Sequence, residues 1–194
     1  MKETKNTSEH VKNEERNSAG RFTENKPGNT FKKLAYMGMF LALAMIISYV
    51  EVLIPIVPSV PGIKIGLANA FILIILYLMG PKEAWIVNLL RVVLTAILFS
   101  NIYALAYSLA GAILSLLGMT LLYRKEKVFS SIGIGMIGGV LHNTGQILVA
   151  VAVTISPAIL SYLPVLLVAG LICGALTGGL ARLLIPILKK VISF

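Results

Sequence analysis

The residues best equipped for chemistry in this chain stand inside apolar runs. Leu141-His142-Asn143-Thr144-Gly145-Gln146 interrupts a hydrophobic stretch from Ser131 to Ile155, and Arg91 stands midway in another from Glu83 to Phe99. An imidazole, two carboxamides and a guanidinium can bind or polarise a polar ligand. Each is costly at apolar depth unless it meets protein, water or a ligand. On a helix, His142 and Gln146 are four residues apart and Asn143 and Gln146 three, so the three can share one inward face. Asn88 and Thr95 flank Arg91 at minus three and plus four, again on one face.

Arg91 carries the most information. Its guanidinium stays protonated at any accessible pH and costs about 2.5 kcal/mol or more at mid-membrane, so it needs a partner. Glu51 is the acid available within a span, Glu83 lying at a loop edge. A structural ion pair of Glu51 with Arg91 or Lys64 is the plain alternative to a binding site. One glutamate cannot neutralise both cations, however, and the surplus positive charge favours an anionic or acceptor-rich ligand. Glu51, Lys64, Asn69, Asn88, Arg91, His142, Asn143 and Gln146 are therefore the candidate substrate-binding residues, with Lys64 and Arg91 supplying charge and the carboxamides reading polar edges.

Several chemistries are excluded on composition. His10, in the polar tail, is the only other histidine, which argues against a metal centre or a bis-histidine haem, and the lone Cys173 permits no cysteine cluster. No Gly-rich loop ends in Gly-Lys-Ser/Thr, and no Ser-His-acid set forms around His142. The chain contains no aspartate, whereas prenyl transfer needs carboxylates that hold magnesium against a diphosphate. We therefore expect a protein that is not an enzyme by itself, with no resident cofactor and no metal.

The elements that position these groups are membrane helices. With 194 residues, 57% of them hydrophobic and 13% charged, and a mean hydropathy of +0.89, the chain is too apolar for a soluble domain of its size. The net charge of +9 is not spread as basic residues interleaved with aromatics, so nucleic acid is not the expected partner. Residues 1–33 hold eight Lys/Arg and five Glu with few apolar residues, which predicts a disordered cytoplasmic tail. From residue 34 to 194 we expect an all-α integral membrane bundle of six transmembrane helices. The spans run near Leu34–Ile54, Ile63–Met79, Glu83–Phe99, Tyr103–Tyr123, Ser131–Ile155 and Leu160–Leu184. Cations gather in the tail, at Lys82, at Arg124, Lys125 and Lys127, and at Lys189 and Lys190, which places both termini in the cytoplasm. The pocket residues then fall in the outer half of the bilayer. Glycines at 133, 135, 138 and 139, and at 170, 174, 178 and 179, suit close helix contacts, and Gly38 with Ala42 forms a small-residue face fit for docking a partner helix.

Pro61-Gly62-Ile63-Lys64-Ile65-Gly66-Leu67-Ala68-Asn69, Leu90-Arg91 and His142-Asn143-Thr144-Gly145-Gln146 resemble the Gx transporter family, also called heptaprenyl diphosphate synthase component I. The resemblance covers about residues 34 to 190. It implies a multi-pass protein of the bacterial cytoplasmic membrane similar to the substrate-binding S components of energy-coupling factor transporters. Such a subunit captures a vitamin-like solute outside and works with a transmembrane coupling subunit and two ATPases. Gly38 and Ala42 would correspond to the docking surface, in altered form. The family also resembles a membrane protein of flavin-based extracellular electron transfer. That implies an alternative role with flavin or quinone and an extracytoplasmic flavoprotein partner, and a third role in association with heptaprenyl diphosphate synthesis.

Overall fold

The computed structural model describes residues 27–53, 66–99, 101–125 and 128–192. Residues 1–26 of the tail expected over 1–33, Lys64 and the Pro61-Gly62 turn lie outside them, while residues 27–33 are helical rather than disordered. The chain divides into two units between Leu34 and Ala35. The described residues of the first are the opening turns of a helix, and the second holds the remaining structure.

Among the described residues every regular element is helical: α1 Pro27–Leu53, α2 Asn69–Leu78, α3 Pro81–Phe99, α4 Ile102–Tyr123, α5 Ser131–Thr154 and α6 Leu163–Val191, with a 3-10 turn over Pro157–Tyr162 before α6. Four segments among the described residues are long and apolar enough to cross a membrane: Thr30–Leu53, Ile102–Tyr123, Ser131–Thr154 and Pro157–Val191. Their outward positions are mostly aliphatic, among them Ile46, Leu121, Val165, Leu176 and Leu183. A soluble domain would not expose that much oily surface, so this is a membrane protein.

The boundaries have local causes. Asn101 accepts the Ala104 N–H at 2.9 Å to open α4, and Ser130 accepts the Gly133 N–H at 3.2 Å to open α5. Gly80, at φ +104°, ends α2, and Pro81 begins α3 with the fixed φ a first helical turn needs. α6 runs on through Pro186 to Val191.

The largest departure from expectation is α2. The sequence pattern predicts a helix over Ile63–Met79, yet ten residues form it, about 15 Å at 1.5 Å per residue. Gly66 has a left-handed φ of +87° and Leu67 and Ala68 form a turn, so helix begins only at Asn69. The Leu67 N–H is taken up by the Glu51 carboxylate at the end of α1, which satisfies a backbone donor left over where the helix has not yet started. Ile72 to Leu76 are fully buried in succession, as expected of a helix apolar all round and enclosed by its neighbours.

The α5–α6 pair is the most extensively packed, followed by α4–α5. Gly135 and Gly139 lie against Gly170, Gly174 and Gly178, while Gly145 lies against Ala110 and Gly111. Backbones approach this closely because no Cβ intervenes. Two apolar clusters result. One gathers Phe40, Ile72 to Leu76, Leu116, Met119, Ile134 and Ile185; the other gathers Tyr107, Ile147, Ala150, Ile159 and Leu166. Along both α4 and α5 the buried polar residues fall between these two clusters.

Candidate functional site

Where α1 and α3 end and α4 begins, Ser48, Glu51, Arg91, Val92, Thr95, Ala96, Ala104, Ser108 and His142 line one cavity of about 320 Å³, its open mouth included. Its enclosed interior has room for about one water molecule. It therefore receives the tip of a ligand rather than a whole one unless the helices part.

Arg91 is 4% exposed. Its Nη1 donates to Ser48 Oγ at 3.0 Å and its Nη2 to Asn88 Oδ1 at 2.9 Å. Asn88 in turn donates through Nδ2 to the Ala112 carbonyl at 3.1 Å, tying α3 to α4. Asn88 thus sits behind the guanidinium and holds it, outside the cavity wall. These partners of Arg91 are neutral, so they fix its direction without cancelling its charge. Its Nε has no hydrogen-bond partner among the described residues, and neither do Thr95 Oγ1 and Ser108 Oγ on the same wall. Three buried polar atoms without a partner among the described residues, all on residues that line one cavity, are a costly arrangement.

Glu51 is buried and lines the same cavity, and its carboxylate accepts the Leu67 N–H. His142 reaches the cavity from α5. Its Nε2 lies 3.1 Å from Gln146 Nε2. With the amide placed as donor, the imidazole is neutral and carries its proton on Nδ1. The ring occupies a slot between two glycines. A Cβ at Gly66 would lie 2.9 Å from His142 Cδ2, and one at Gly111 3.1 Å from Cε1. Gly66 is required here twice, for its φ and for the room it leaves.

The other sequence-selected residues distribute differently. Asn69 lies beside the same glycine and donates to Ser115 Oγ at 3.3 Å, adjoining the site from α2. Gln146 supports His142 from behind. Asn143 turns away from the cavity and donates to the Leu166 carbonyl at 2.6 Å, joining α5 to α6. Lys64 lies outside the described residues. Ser48 and Ser108, which line the cavity, are absent from the sequence-derived set. Isolated serines in apolar helices are common, because the hydroxyl can bond its own helix backbone, so their positions carry no signal. Gly38 and Ala42 are exposed on α1, and a Cβ at Gly38 would meet nothing within 4 Å.

No curated protein and no solved structure matches the chain. A family model described as heptaprenyl diphosphate synthase component I matches residues 40–184, a stretch that contains every cavity-lining residue. The chain belongs to the heptaprenyl diphosphate synthase component I family.

Proposed function

We propose that the chain is the substrate-binding membrane subunit of an importer resembling the energy-coupling factor type, capturing a small anionic or vitamin-like solute, such as a flavin or prenyl phosphate, from the outer side. The supporting observation is the Arg91 guanidinium, buried, held by neutral partners and facing a cavity shared with Glu51 and His142. Its Nε has no hydrogen-bond partner among the described residues, whereas a purely structural arginine would be expected to spend that buried donor on a protein acceptor as well. In this reading α2 and α3 complete six crossings, both termini are cytoplasmic, and the cavity end of the bundle faces outward. The cations at Lys82, Arg124, Lys125, Lys189 and Lys190 favour that orientation. The exposed Gly38/Ala42 face of α1 would dock a transmembrane coupling subunit served by ATPases.

The chain itself would carry out no catalysis, since without aspartate it offers no paired acidic ligands for the magnesium diphosphate of prenyl transfer. The test is thermal-shift screening of the purified protein in detergent against flavins, prenyl phosphates, quinones and vitamins. Arg91→Ala and His142→Ala should each abolish the shift from whichever solute responds; affinity unchanged in both variants would remove the pocket assignment.

The family description as component I favours a second reading in which the chain is one part of an assembly. It would then be a membrane component associated with heptaprenyl diphosphate synthesis, or a subunit of a flavin- or quinone-linked extracellular electron-transfer system. Isolation with native neighbours separates the readings. Coupling ATPases support import, whereas a prenyl synthase or an extracytoplasmic flavoprotein supports the alternative.

A further inference from the structure

We infer that Glu51 is a positioning residue for His142: its carboxylate holds the turn before α2 against the imidazole and so fixes one wall of the candidate site. This rests on the solute-binding reading above for its functional meaning and changes the role of one residue within it. The links from α1 to α5 are continuous. Glu51, buried near the end of α1, accepts the Leu67 N–H through Oε1. Leu67 follows Gly66, which has a left-handed φ of +87° and stands so close to the ring that a Cβ there would lie 2.9 Å from His142 Cδ2. By the same measure Gly66 is 3.1 Å from Asn69 Nδ2, the group that donates to Ser115. A displaced turn would therefore disturb the imidazole and the carboxamide together.

The two walls of the histidine slot differ in what keeps them in place. Gly111 belongs to α4, a helix of 22 residues packed along α5. Gly66 belongs to a turn, and turn residues lack the repeated backbone bonds that fix a helix. The helix that follows has no cap of its own, because Ala68 precedes it and makes no side-chain hydrogen bond. Capping at such a start normally falls to a nearby polar side chain, and here the acceptor comes from another helix, sixteen residues back. An ionised acceptor suits the place, since a helix N-terminus favours negative charge and a charged acceptor strengthens the bond. Oε1 of the carboxylate is thus committed to the backbone, and a solute reaching for that oxygen would have to undo the turn that seats the ring.

The experiment uses the full-length protein in detergent without solute. His10→Gln leaves His142 as the only imidazole, so NMR of its ring carbons and protons reports where the turn sits, and hydrogen exchange reports the Leu67 N–H. Two substitutions separate reach from charge. Glu51→Gln keeps the length and an acceptor oxygen but loses the charge. Glu51→Asp keeps the charge but withdraws the acceptor by one C–C bond, about 1.5 Å. Glu51→Gln should leave the His142 resonances in place and Leu67 exchange within about threefold of wild type, while Glu51→Asp should displace the resonances and speed that exchange at least about tenfold. The reverse order, with Asp silent and Gln altered, overturns the inference and gives Glu51 a role through its charge. Equal effects in both variants, or none in either, overturn it as well. A lower melting temperature in Glu51→Asp with the imidazole unmoved makes Glu51 a cap for α2 alone, and the inference falls. Should Glu51→Asp fail to fold, Glu51→Gln decides: resonances that stay sustain the inference, and resonances that move overturn it. Because no solute enters, a vitamin screen without a ligand removes the solute-binding reading while the link from Glu51 to His142 stands, and loss of that link leaves solute binding to the screen.

Discussion

Gly66 and His142 are fitted to each other. The glycine holds a left-handed φ of +87° in the turn before α2, and a Cβ there would stand 2.9 Å from the imidazole Cδ2. The turn that delays α2 is thus also one wall of the histidine slot, so helix start and site geometry are coupled.

Gly66→Ala should cost about 2–4 kcal/mol, combining left-handed backbone strain with displacement of the imidazole. Thermal unfolding in detergent measures it. His142→Ala in the same chain should recover the part due to the clash but not the part due to φ. Full additivity of the two substitutions would show that glycine and histidine do not press on one another.

Asn88 carries two bonds, accepting from Arg91 Nη2 and donating to the Ala112 carbonyl. Asn88→Ala leaves a charged donor and a backbone acceptor short of partners, and should lower stability by about 1.5–3 kcal/mol. Because Asn88 acts through Arg91, ligand affinity should fall with it. A stability loss with affinity untouched would mean that Arg91 does not depend on Asn88 for its direction.

The glycines divide into two groups with opposite expectations. At Gly139 and Gly174 an added Cβ would run into the backbone of the facing helix, at Gly170 and Gly135 respectively, and backbone cannot move aside as a side chain can. Gly139→Ala and Gly174→Ala should therefore separate α5 from α6 and cost several kcal/mol, or prevent folding. At Gly38 and Gly179 a Cβ would meet nothing within 4 Å, and alanine there should be neutral or add up to about 1 kcal/mol through helix propensity. Circular dichroism melting of the four variants checks both halves.

The spacing rules that made these residues legible also mark where legibility ends. Arg91 and Asn88, at i and i−3, do bond, and His142 and Gln146, at i and i+4, do meet. Asn143 is also three residues from Gln146, yet it bonds α6. Spacing along one helix says which residues neighbour each other, while the choice between two flanking partners is made by packing. α5 has such partners on both sides, because its glycines admit α4 and α6 together. The short α2 was illegible for a similar reason. Ile63 to Met79 is apolar enough to span, and the left-handed turn at Gly66, followed by a Leu67 N–H bonded to Glu51 far back in the chain, holds the helix start at Asn69. A sixteen-residue separation between acceptor and donor leaves no local pattern to read.

Thr95 and Ser108 distinguish a site from a scaffold. Both hydroxyls are buried without a partner among the described residues. In a structure selected for stability alone, an apolar isostere should be as good or better, since burying an unmade hydrogen bond costs about 1–3 kcal/mol. Thr95→Val and Ser108→Ala should therefore raise the unfolding temperature of the ligand-free protein or leave it unchanged, while shrinking the stabilisation that a bound solute adds. The two effects have opposite sign, so general damage to the fold cannot imitate them. If both variants melt lower without ligand, these hydroxyls are holding the helices together, and the cavity loses its claim to be built for a guest.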